Sequence, residues 1–142
     1  MTAKEYLSKI QTYRRTMQSY TDRIEELYHE AAGLKAIVYD KERVQVSPEN
    51  RLEKIFTQID AEAEKYAKAR SRYEKEVRKR TEQIAGMDNA DYAEILRLRY
   101  MELDKHGTPW TLEEVACIMH LSYWRTAHLH GEALEAFRKK YL

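Results

Sequence analysis

Apolar residues in the first third of the chain recur at alternating spacings of four and three residues. The repeat runs through Tyr6, Ile10, Tyr13, Met17, Tyr20, Ile24, Leu27, Ala31, Leu34 and Val38. Such spacing places its members along one face of a helix, as in a coiled coil. The sequence therefore predicts one long helix with an apolar stripe, which a capping box of Thr2 and Glu5 opens.

A second stripe follows a connecting segment at residues 39–50, in which Val44 and Val46 alternate with polar residues. Ser47 is predicted to cap a second long helix at residues 48–85, because Pro48 suits a first helical turn. The stripe of this helix comprises Leu52, Ile55, Ile59, Ala63, Tyr66, Ala69, Tyr73, Val77, Arg80 and Ile84. Two helices of similar length with a short connection favour a coiled-coil-like antiparallel hairpin. Two such stripes bury only a small hydrophobic core. We therefore expect the hairpin either to pack against the C-terminal region or to dimerise with a second copy of the chain.

Glycine and proline are scarce, with 4 and 2 residues in a chain of 142. This scarcity suits long helices and argues against a many-stranded fold. We therefore expect an all-α protein. Residues 1–86 are predicted to form the hairpin, for interaction or dimerisation, and residues 87–142 to form a helical bundle after a break at Gly86.

The chain has no apolar run of membrane-spanning length, and its first residues, MTAKEYLSKIQTYRR, contain no apolar signal core. Its one cysteine, Cys117, has no partner for an internal disulfide, which fits a reducing compartment. We expect a cytoplasmic protein without a membrane partner, and Cys117 is predicted to be a small buried hydrophobe.

The stretch TLEEVACIMHLSYWRTAHLHGEAL has the layout of a helix-turn-helix. Thr111 and Glu114 form a capping box, Val115 and Ala116 face inward, and Ser122 caps the second helix. Two positions depart from the usual pattern, because His120 stands where glycine is common and Thr126 stands where valine or isoleucine is common. The exposed residues at the start of the second helix are predicted to contact DNA; they are Ser122, Tyr123, Trp124, Arg125 and His128.

Each of these residue types suits a contact in the major groove of double-stranded DNA. Arg125 can read guanine or clamp a phosphate. Ser122 and the helix N-terminus suit a phosphate. Tyr123 and Trp124 offer edge hydrogen bonds and contact with thymine methyl groups.

The C-terminal sequence resembles region 4 of the sigma-70 family. The matching residues are Leu98, Arg99, Tyr100, Thr111, Glu113, Glu114, Val115, Ala116, Ser122, Arg125, Leu129, His130, Ala133 and Leu134. Over nearly its full length, including the stretches MTAKEYLSKI and VQVSPENRLEKI, the chain resembles a family of small phage and prophage proteins of unknown function with a sigma-70-like C-terminal half. The resemblance implies a phage-encoded transcription regulator that acts on late or promoter-proximal DNA together with host RNA polymerase. Because the sigma region that melts promoters has no counterpart here, the protein is not expected to initiate transcription alone.

The charge balance argues against tight independent binding to DNA. Residues 87–142 hold nine acidic side chains against seven basic ones, whereas phosphate neutralisation by basic groups supplies much of the affinity of DNA-binding domains. Two alternatives therefore stay open. One is a packaging component that resembles a small terminase subunit, in which a ring supplies affinity through multivalency. The other is a pure protein-interaction module.

No arrangement of residues favours catalysis, a metal or a cofactor. Phosphate-binding glycine loops and nucleophile elbows are missing from the sequence. Four histidines lie in the same region of the sequence as Cys117; they are His106, His120, His128 and His130. Their spacing does not match that of known zinc sites. His128 and His130, for example, are two residues apart, so they point in different directions on a helix. We expect no enzymatic activity and no cofactor. The basic run Arg78-Lys79-Arg80 could contact flanking DNA, but it is interpreted as a solvated helix end, where cations complement the helix dipole.

Overall fold

The structure is a computed structural model that describes residues 1–40 and 48–142, with side chains for residues 1–34 and 49–142. Five α-helices and one π-helical segment occur in these ranges; they are α1 (Ala3–Asp40), α2 (Pro48–Ala85), α3 (Ala90–Leu96), the π-helical segment (Arg97–Met101), α4 (Leu112–Met119) and α5 (Tyr123–Tyr141). No strand occurs among the described residues, where β-type pairing is limited to one bridge between Leu103 and Pro109. The predicted all-α class is confirmed. None of the described helices has a stretch apolar enough to cross a bilayer.

Several sequence predictions concern the connection between the first two helices. The extended stretch at Val44 and Val46, the cap at Ser47 and the side chain of Val38 lie outside the described residues. The capping box at the start of α1 is present, because Glu5 N donates to Thr2 Oγ1 at 3.1 Å and Thr2 N donates to Glu5 Oε2 at 2.7 Å. These hydrogen bonds hold the pKa of Glu5 below its usual value.

Contacts divide the chain into two compact units: unit 1 comprises residues 1–12 and 73–142, and unit 2 comprises residues 13–72. In unit 2, a small buried cluster joins Leu27 and Ala31 of α1 to Ile55 and Ile59 of α2. Partly buried hydrophobic residues pack against this cluster; they are Ile24, Leu34 and Leu52. The predicted stripes therefore supply the core of unit 2.

The α2 stripe departs from the prediction at one place. Ala63 is exposed, and the neighbouring Glu62 is half-buried. An α-helix with 3.6 residues per turn drifts slowly against a seven-residue repeat, so the inward position moves to an adjacent residue. Every other predicted member of both stripes whose side chain is described is buried or half-buried.

Unit 1 has a larger core, to which distant parts of the chain contribute. The first turns of α1 supply Ala3 and Leu7, and the last turn of α2 supplies Ile84. The remaining buried members come from α3, the π-helical segment, α4 and α5; they are Ile95, Leu96, Leu98, Tyr100, Val115, Ala133 and Phe137. The C-terminal helices of unit 1 thus pack in one core with residues from the start of the chain.

The third helix, α3, changes from α-helical to π-helical geometry toward its end. Asn89 caps α3, and its side-chain oxygen accepts hydrogen bonds from the backbone of Asp91 at 2.9 Å and Tyr92 at 3.2 Å. After Leu96 the helix widens into the π-helical segment, and Glu102 N donates to Arg97 O at 3.1 Å, five residues back. Residues 90–101 therefore form an α-helix followed by a π-helical turn.

Arg80 corrects the interpretation of the basic run in α2. Arg78 and Lys79 are exposed as expected, but Arg80 is only 2% exposed. Its Nε donates to Tyr6 O at 2.9 Å, its guanidinium lies 4.1 Å from the centre of the Tyr6 ring, and it pairs with the carboxylate of Glu76. The solvated interpretation was wrong for Arg80, because an ion pair and a carbonyl replace the water that a cation otherwise needs.

We predict that Arg80→Ala lowers the free energy of unfolding by about 3 kcal/mol, because it removes a buried ion pair and the hydrogen bond to Tyr6 O. Arg78→Ala is the matched control, since this exposed neighbour should change stability by less than about 0.5 kcal/mol. Urea unfolding of both variants, followed by circular dichroism, measures the difference. Equal effects would contradict the structural role of Arg80.

Candidate nucleic-acid interface

Helices α4 and α5 are joined by the three residues His120, Leu121 and Ser122. A capping box opens α4: Thr111 Oγ1 accepts a hydrogen bond from Glu114 N at 3.2 Å, and the Glu114 side chain bonds back to Thr111 N. Ser122 caps α5, because its Oγ accepts from Arg125 N at 3.2 Å. Both predicted caps are confirmed, so the sequence itself sets where each helix begins.

The turn depends on a left-handed residue at His120, with φ 57° and ψ 41°. This conformation directs Leu121 N back to Ala116 O at 3.0 Å and His120 N to Cys117 O at 3.3 Å, which satisfies carbonyls at the end of α4. Histidine adopts the left-handed region more readily than most residues with a Cβ. The departure from glycine noted in the sequence therefore leaves the turn intact.

The interior of this helix pair follows the predicted pattern. Val115, Ala116 and Ala133 are buried, and Met119 and Leu121 are half-buried beside the turn. Thr126 is fully buried, and its hydroxyl donates to Ser122 O at 2.8 Å. The polar atom that this position introduces is thus satisfied within the helix.

Cys117 differs from its prediction, because its side chain is exposed rather than buried. The buried pair on α4 is Val115 and Ala116. A residue one position further along a helix is rotated by about 100°, which turns Cys117 out of the core. The prediction of a buried thiol was therefore wrong.

All five residues predicted to contact DNA are exposed and lie at the cap and in the first two turns of α5. Tyr123 is 55% exposed and Trp124 is 69% exposed, which is unusual for such large apolar surfaces. The rings of Trp124 and His128 contact each other, with 4.3 Å between their centres. Arg125 makes no ion pair with any described residue. The five residues Ser122, Tyr123, Trp124, Arg125 and His128 therefore form a connected surface with a free cation, and their role stays a prediction.

An open groove, here called the α5 groove, continues from this surface along the helix. It is lined by Tyr92 of α3 and by Tyr123, Trp124, Ala127, His128, Gly131, Glu132, Glu135, Ala136 and Lys139 of α5. The groove residues beyond His128 were not predicted from the sequence. The four-residue spacing of Tyr123, Ala127 and Gly131 indicates that the groove continues along the same side of α5. Nothing in the sequence, however, indicates that Tyr92 lies beside Glu132, which is 40 residues later.

Hydrogen bonds and ion pairs hold the polar wall of the α5 groove. Tyr92 OH donates to Glu132 Oε2 at 3.1 Å, and this bond raises the pKa of Tyr92. Glu135 accepts two hydrogen bonds from Arg138, at 3.0 and 2.7 Å, which lower the pKa of Glu135. The C-terminal half of the α5 groove therefore presents two carboxylates and one cation, because Lys139 Nζ also lines the groove and lies 3.9 Å from Glu135 Oε1.

Behind the exposed surface, His130 forms a polar contact within unit 1. Its Nε2 is hydrogen-bonded to the hydroxyl of Tyr100 at 2.7 Å, and the two rings stack. Burial, together with the positive charges of Arg99 and Lys4, lowers the pKa of His130 to about 4. Burial raises the pKa of Tyr100 to about 12. At neutral pH the pair is therefore uncharged.

Within residues 1–40 and 48–142, no three His, Cys, Asp or Glu side chains gather in a way that could hold a metal ion. Comparisons with protein-family models, with curated proteins and with solved structures found no match.

We predict that His120→Gly raises the free energy of unfolding by about 0.5–1 kcal/mol, because glycine adopts positive φ without the Cβ strain. The imidazole is exposed, so its removal costs no packing. His120→Val, whose branched side chain disfavours this conformation, should instead lose about 1 kcal/mol. Thermal unfolding ranks the three proteins, and a valine variant as stable as the wild type would contradict the strain argument.

The lowered pKa of His130 predicts a specific loss of stability in mild acid. Because the unfolded chain binds this proton at a pKa of 6.5 and the folded protein at about 4, the neutral form favours folding. Stability is fully present above pH 6.5 and falls as the pH drops toward 4. His130→Gln keeps a hydrogen-bonding group for Tyr100 but does not titrate, so the variant should lack this part of the decline. Unfolding curves at several pH values measure the difference, and parallel pH profiles for the two proteins would refute it.

Proposed function

We propose that this protein is a phage-type DNA-binding transcription regulator whose C-terminal region is a helix-turn-helix of the sigma-70 region 4 type. The observation that carries the proposal is the pair α4 and α5, in which two capped helices meet at a three-residue turn. The second helix begins with Ser122, Tyr123, Trp124 and Arg125 exposed. A recognition helix enters the major groove with its N-terminal residues in this way.

The roles of these residues follow from their chemistry. The Arg125 guanidinium, free of ion pairs with described residues, reads guanine or clamps a phosphate. Ser122 and the N-terminal amides of α5 suit a phosphate oxygen. Tyr123 and Trp124 present apolar surface to thymine methyl groups.

The two long helices form, in this proposal, an antiparallel hairpin that dimerises or contacts RNA polymerase. Contacts between α1 and α2 within each unit support the antiparallel direction of the two helices. In unit 1, Tyr6 OH near the start of α1 donates to Gln83 Oε1 near the end of α2 at 2.8 Å. In unit 2, the Arg72 guanidinium lies 5.0 Å from the centre of the Tyr13 ring.

The acidic balance of residues 87–142 makes RNA polymerase an important partner in this proposal. Neutralisation of phosphates by basic groups is the main source of nonspecific affinity for DNA. Since residues 87–142 hold nine acidic and seven basic side chains, we expect weak and salt-sensitive binding by the chain alone. A contact with polymerase then supplies the remaining affinity at a promoter.

A pure protein-interaction module is the second candidate, and the α5 groove favours it. The groove extends well beyond the residues that a base-reading helix N-terminus needs, and its exposed rings suit a protein partner. One observation distinguishes the DNA-binding regulator from the interaction module: whether the chain binds a particular DNA sequence in preference to others.

The test is selection of DNA from a randomised duplex pool with the full chain at low salt, followed by fluorescence anisotropy on the enriched sequence. Arg125→Ala should weaken specific binding by about 10-fold or more, because a bidentate contact with guanine contributes about 1–3 kcal/mol. If Arg125 binds phosphate instead, the variant weakens all sequences alike and reduces the salt slope by about one.

Arg138→Ala is the matched control, because Arg138 is exposed on the same helix but lies about 20 Å further along its axis. It should leave sequence preference unchanged. Failure to enrich any sequence, or specific binding that survives Arg125→Ala, would overturn the proposed recognition surface. Recovery of RNA polymerase subunits with the wild-type chain but without DNA selectivity would favour the interaction module.

A further inference from the structure

Basic residues recur along one side of α2 at alternating spacings of three and four; they are Lys65, Lys68, Arg72, Lys75 and Lys79. Such spacing places them in one row along the helix, about 21 Å from the first to the last. All five side chains are exposed. We call this row the cationic stripe. Because α2 runs without interruption from Pro48 to Ala85, the geometry of a single helix fixes the row.

The stripe lies in a strongly basic part of α2. Residues 65–79 hold seven basic side chains and two carboxylates, Glu74 and Glu76. The carboxylate of Glu76 pairs with the buried Arg80. Residues 49–64 of the same helix have the opposite balance, with five acidic and two basic side chains. A chain whose net charge is only +1 therefore concentrates positive charge along this part of α2.

Most members of the stripe are not neutralised within the protein. Lys68, Lys75 and Lys79 make no ion pair with any described residue. Lys65 differs, because its Nζ lies 3.5 Å from Glu62 Oε1. Like charges three or four residues apart on a helix destabilise it. Since every neighbouring pair in the stripe has this spacing, a bound polyanion would relieve a repulsion that the folded chain otherwise retains.

The helix beside this part of α2 adds further positive charge. In unit 2, the Arg72 guanidinium lies 5.0 Å from the centre of the Tyr13 ring of α1. Residues 6–21 of α1 contain no carboxylate, and their basic side chains are Lys9, Arg14 and Arg15. Beyond the end of the stripe, the next carboxylate of α2 is Glu82. The surroundings of the stripe therefore do not cancel its charge.

The stripe lacks the apolar groups that most other partners require. No large hydrophobic side chain is exposed between residues 65 and 79. Protein partners are anchored mainly by buried aromatic and other large side chains, and a helix on a membrane surface inserts an apolar face. Single-stranded nucleic acids stack their bases on aromatic rings, whereas Tyr66 and Tyr73 are half-buried. Charge alone therefore characterises this surface.

The backbone of a DNA duplex matches these properties. It presents closely spaced phosphates and needs no apolar contact, because basic side chains that neutralise phosphates release condensed counterions. A row of about 21 Å is also longer than the roughly 12 Å width of the major groove. A helix lying across the groove can therefore place cations of the stripe on both of its phosphate walls.

We propose that the cationic stripe of α2 binds the phosphates of double-stranded DNA without regard to base sequence. It shares no residue with the recognition surface of α5, so this inference goes beyond the proposed function and does not depend on it. We expect a dissociation constant of about 1–100 μM at physiological salt, as is usual for nonspecific binding. In a DNA-binding regulator, the stripe supplies electrostatic affinity that the acidic balance of residues 87–142 does not.

Fluorescence anisotropy with the full chain and a labelled duplex of arbitrary sequence, at about 50–200 mM salt, tests the stripe. The key variant combines Lys68→Gln, Lys75→Gln and Lys79→Gln. We expect it to bind about 10-fold or more weakly and to reduce the slope of log affinity against log salt by about three, because each lost phosphate contact reduces this slope by about one. Glutamine is a good helix former, so α2 should keep its helicity, which circular dichroism verifies.

Two controls separate the stripe from charge in general. Arg51→Gln with Lys54→Gln removes two exposed cations that share the helix and the three-residue spacing but lie in its acidic part, so this variant should bind almost as the wild type does. Arginine at the same three stripe positions keeps the charge and should preserve binding. A triple glutamine variant that binds duplex like the wild type, or an equal loss in the Arg51 and Lys54 variant, overturns the proposal.

The class of partner is tested with two other anionic probes. One is a single strand of the same length as the duplex, and the other is a vesicle of equal parts phosphatidylserine and phosphatidylcholine. We expect the duplex to bind more tightly than either probe in a way that depends on the three lysines. Tighter binding of the single strand, or lysine-dependent binding of vesicles without binding of duplex, overturns the assignment to double-stranded DNA.

Arg125→Ala separates this inference from the proposed function. If the stripe binds duplex, most of the nonspecific affinity survives Arg125→Ala and is lost in the triple glutamine variant. When no sequence is enriched from a random pool but this pattern holds, the stripe is supported and the proposed function fails. Sequence-specific binding that Arg125→Ala removes, with a salt slope that the triple glutamine variant leaves unchanged, supports the proposed function and overturns the stripe.

Discussion

Tyr6 joins three helices of unit 1 through four separate contacts. Its hydroxyl bonds to Gln83, its backbone carbonyl accepts from Arg80, and its ring lies beneath the Arg80 guanidinium. On the side of α5, the centre of the same ring is 5.9 Å from that of Phe137, which is fully buried. The position of α5, and hence of the proposed recognition surface, therefore depends on a residue 131 positions before Phe137.

Features that depend on local rules could be predicted from the sequence. The apolar stripes predicted the buried side of α1, and the polar residues Thr111, Glu114 and Ser122 predicted where α4 and α5 begin. Each of these signals acts within one or two helical turns. The same is true of His120, whose left-handed conformation follows from its place between two capped helices.

Features that depend on distant contacts could not be predicted in this way. The burial of Arg80 requires Tyr6, 74 residues earlier, and the wall of the α5 groove requires Tyr92, 40 residues before Glu132. The wrong prediction for Cys117 has a different cause. Neighbouring residues of a helix point in directions about 100° apart, so an error of one position changes a buried side chain into an exposed one. Exposure of Tyr123 and Trp124 followed from helical periodicity, but the groove beside them did not.

The division of unit 1 between residues 1–12 and 73–142 has a consequence for the order of folding. Unit 2 is one continuous segment, so its helices are able to pair while the chain is still being synthesised. Unit 1 has to wait until Phe137 and its neighbours leave the ribosome, because its first residues find their core partners only then. Closing such a long loop costs conformational entropy, and only the contacts of the completed core offset that cost. The formation of unit 1 is therefore expected to be slower than the formation of unit 2. The proposed recognition surface consequently acquires its native support only after the helices of unit 2 are able to pair.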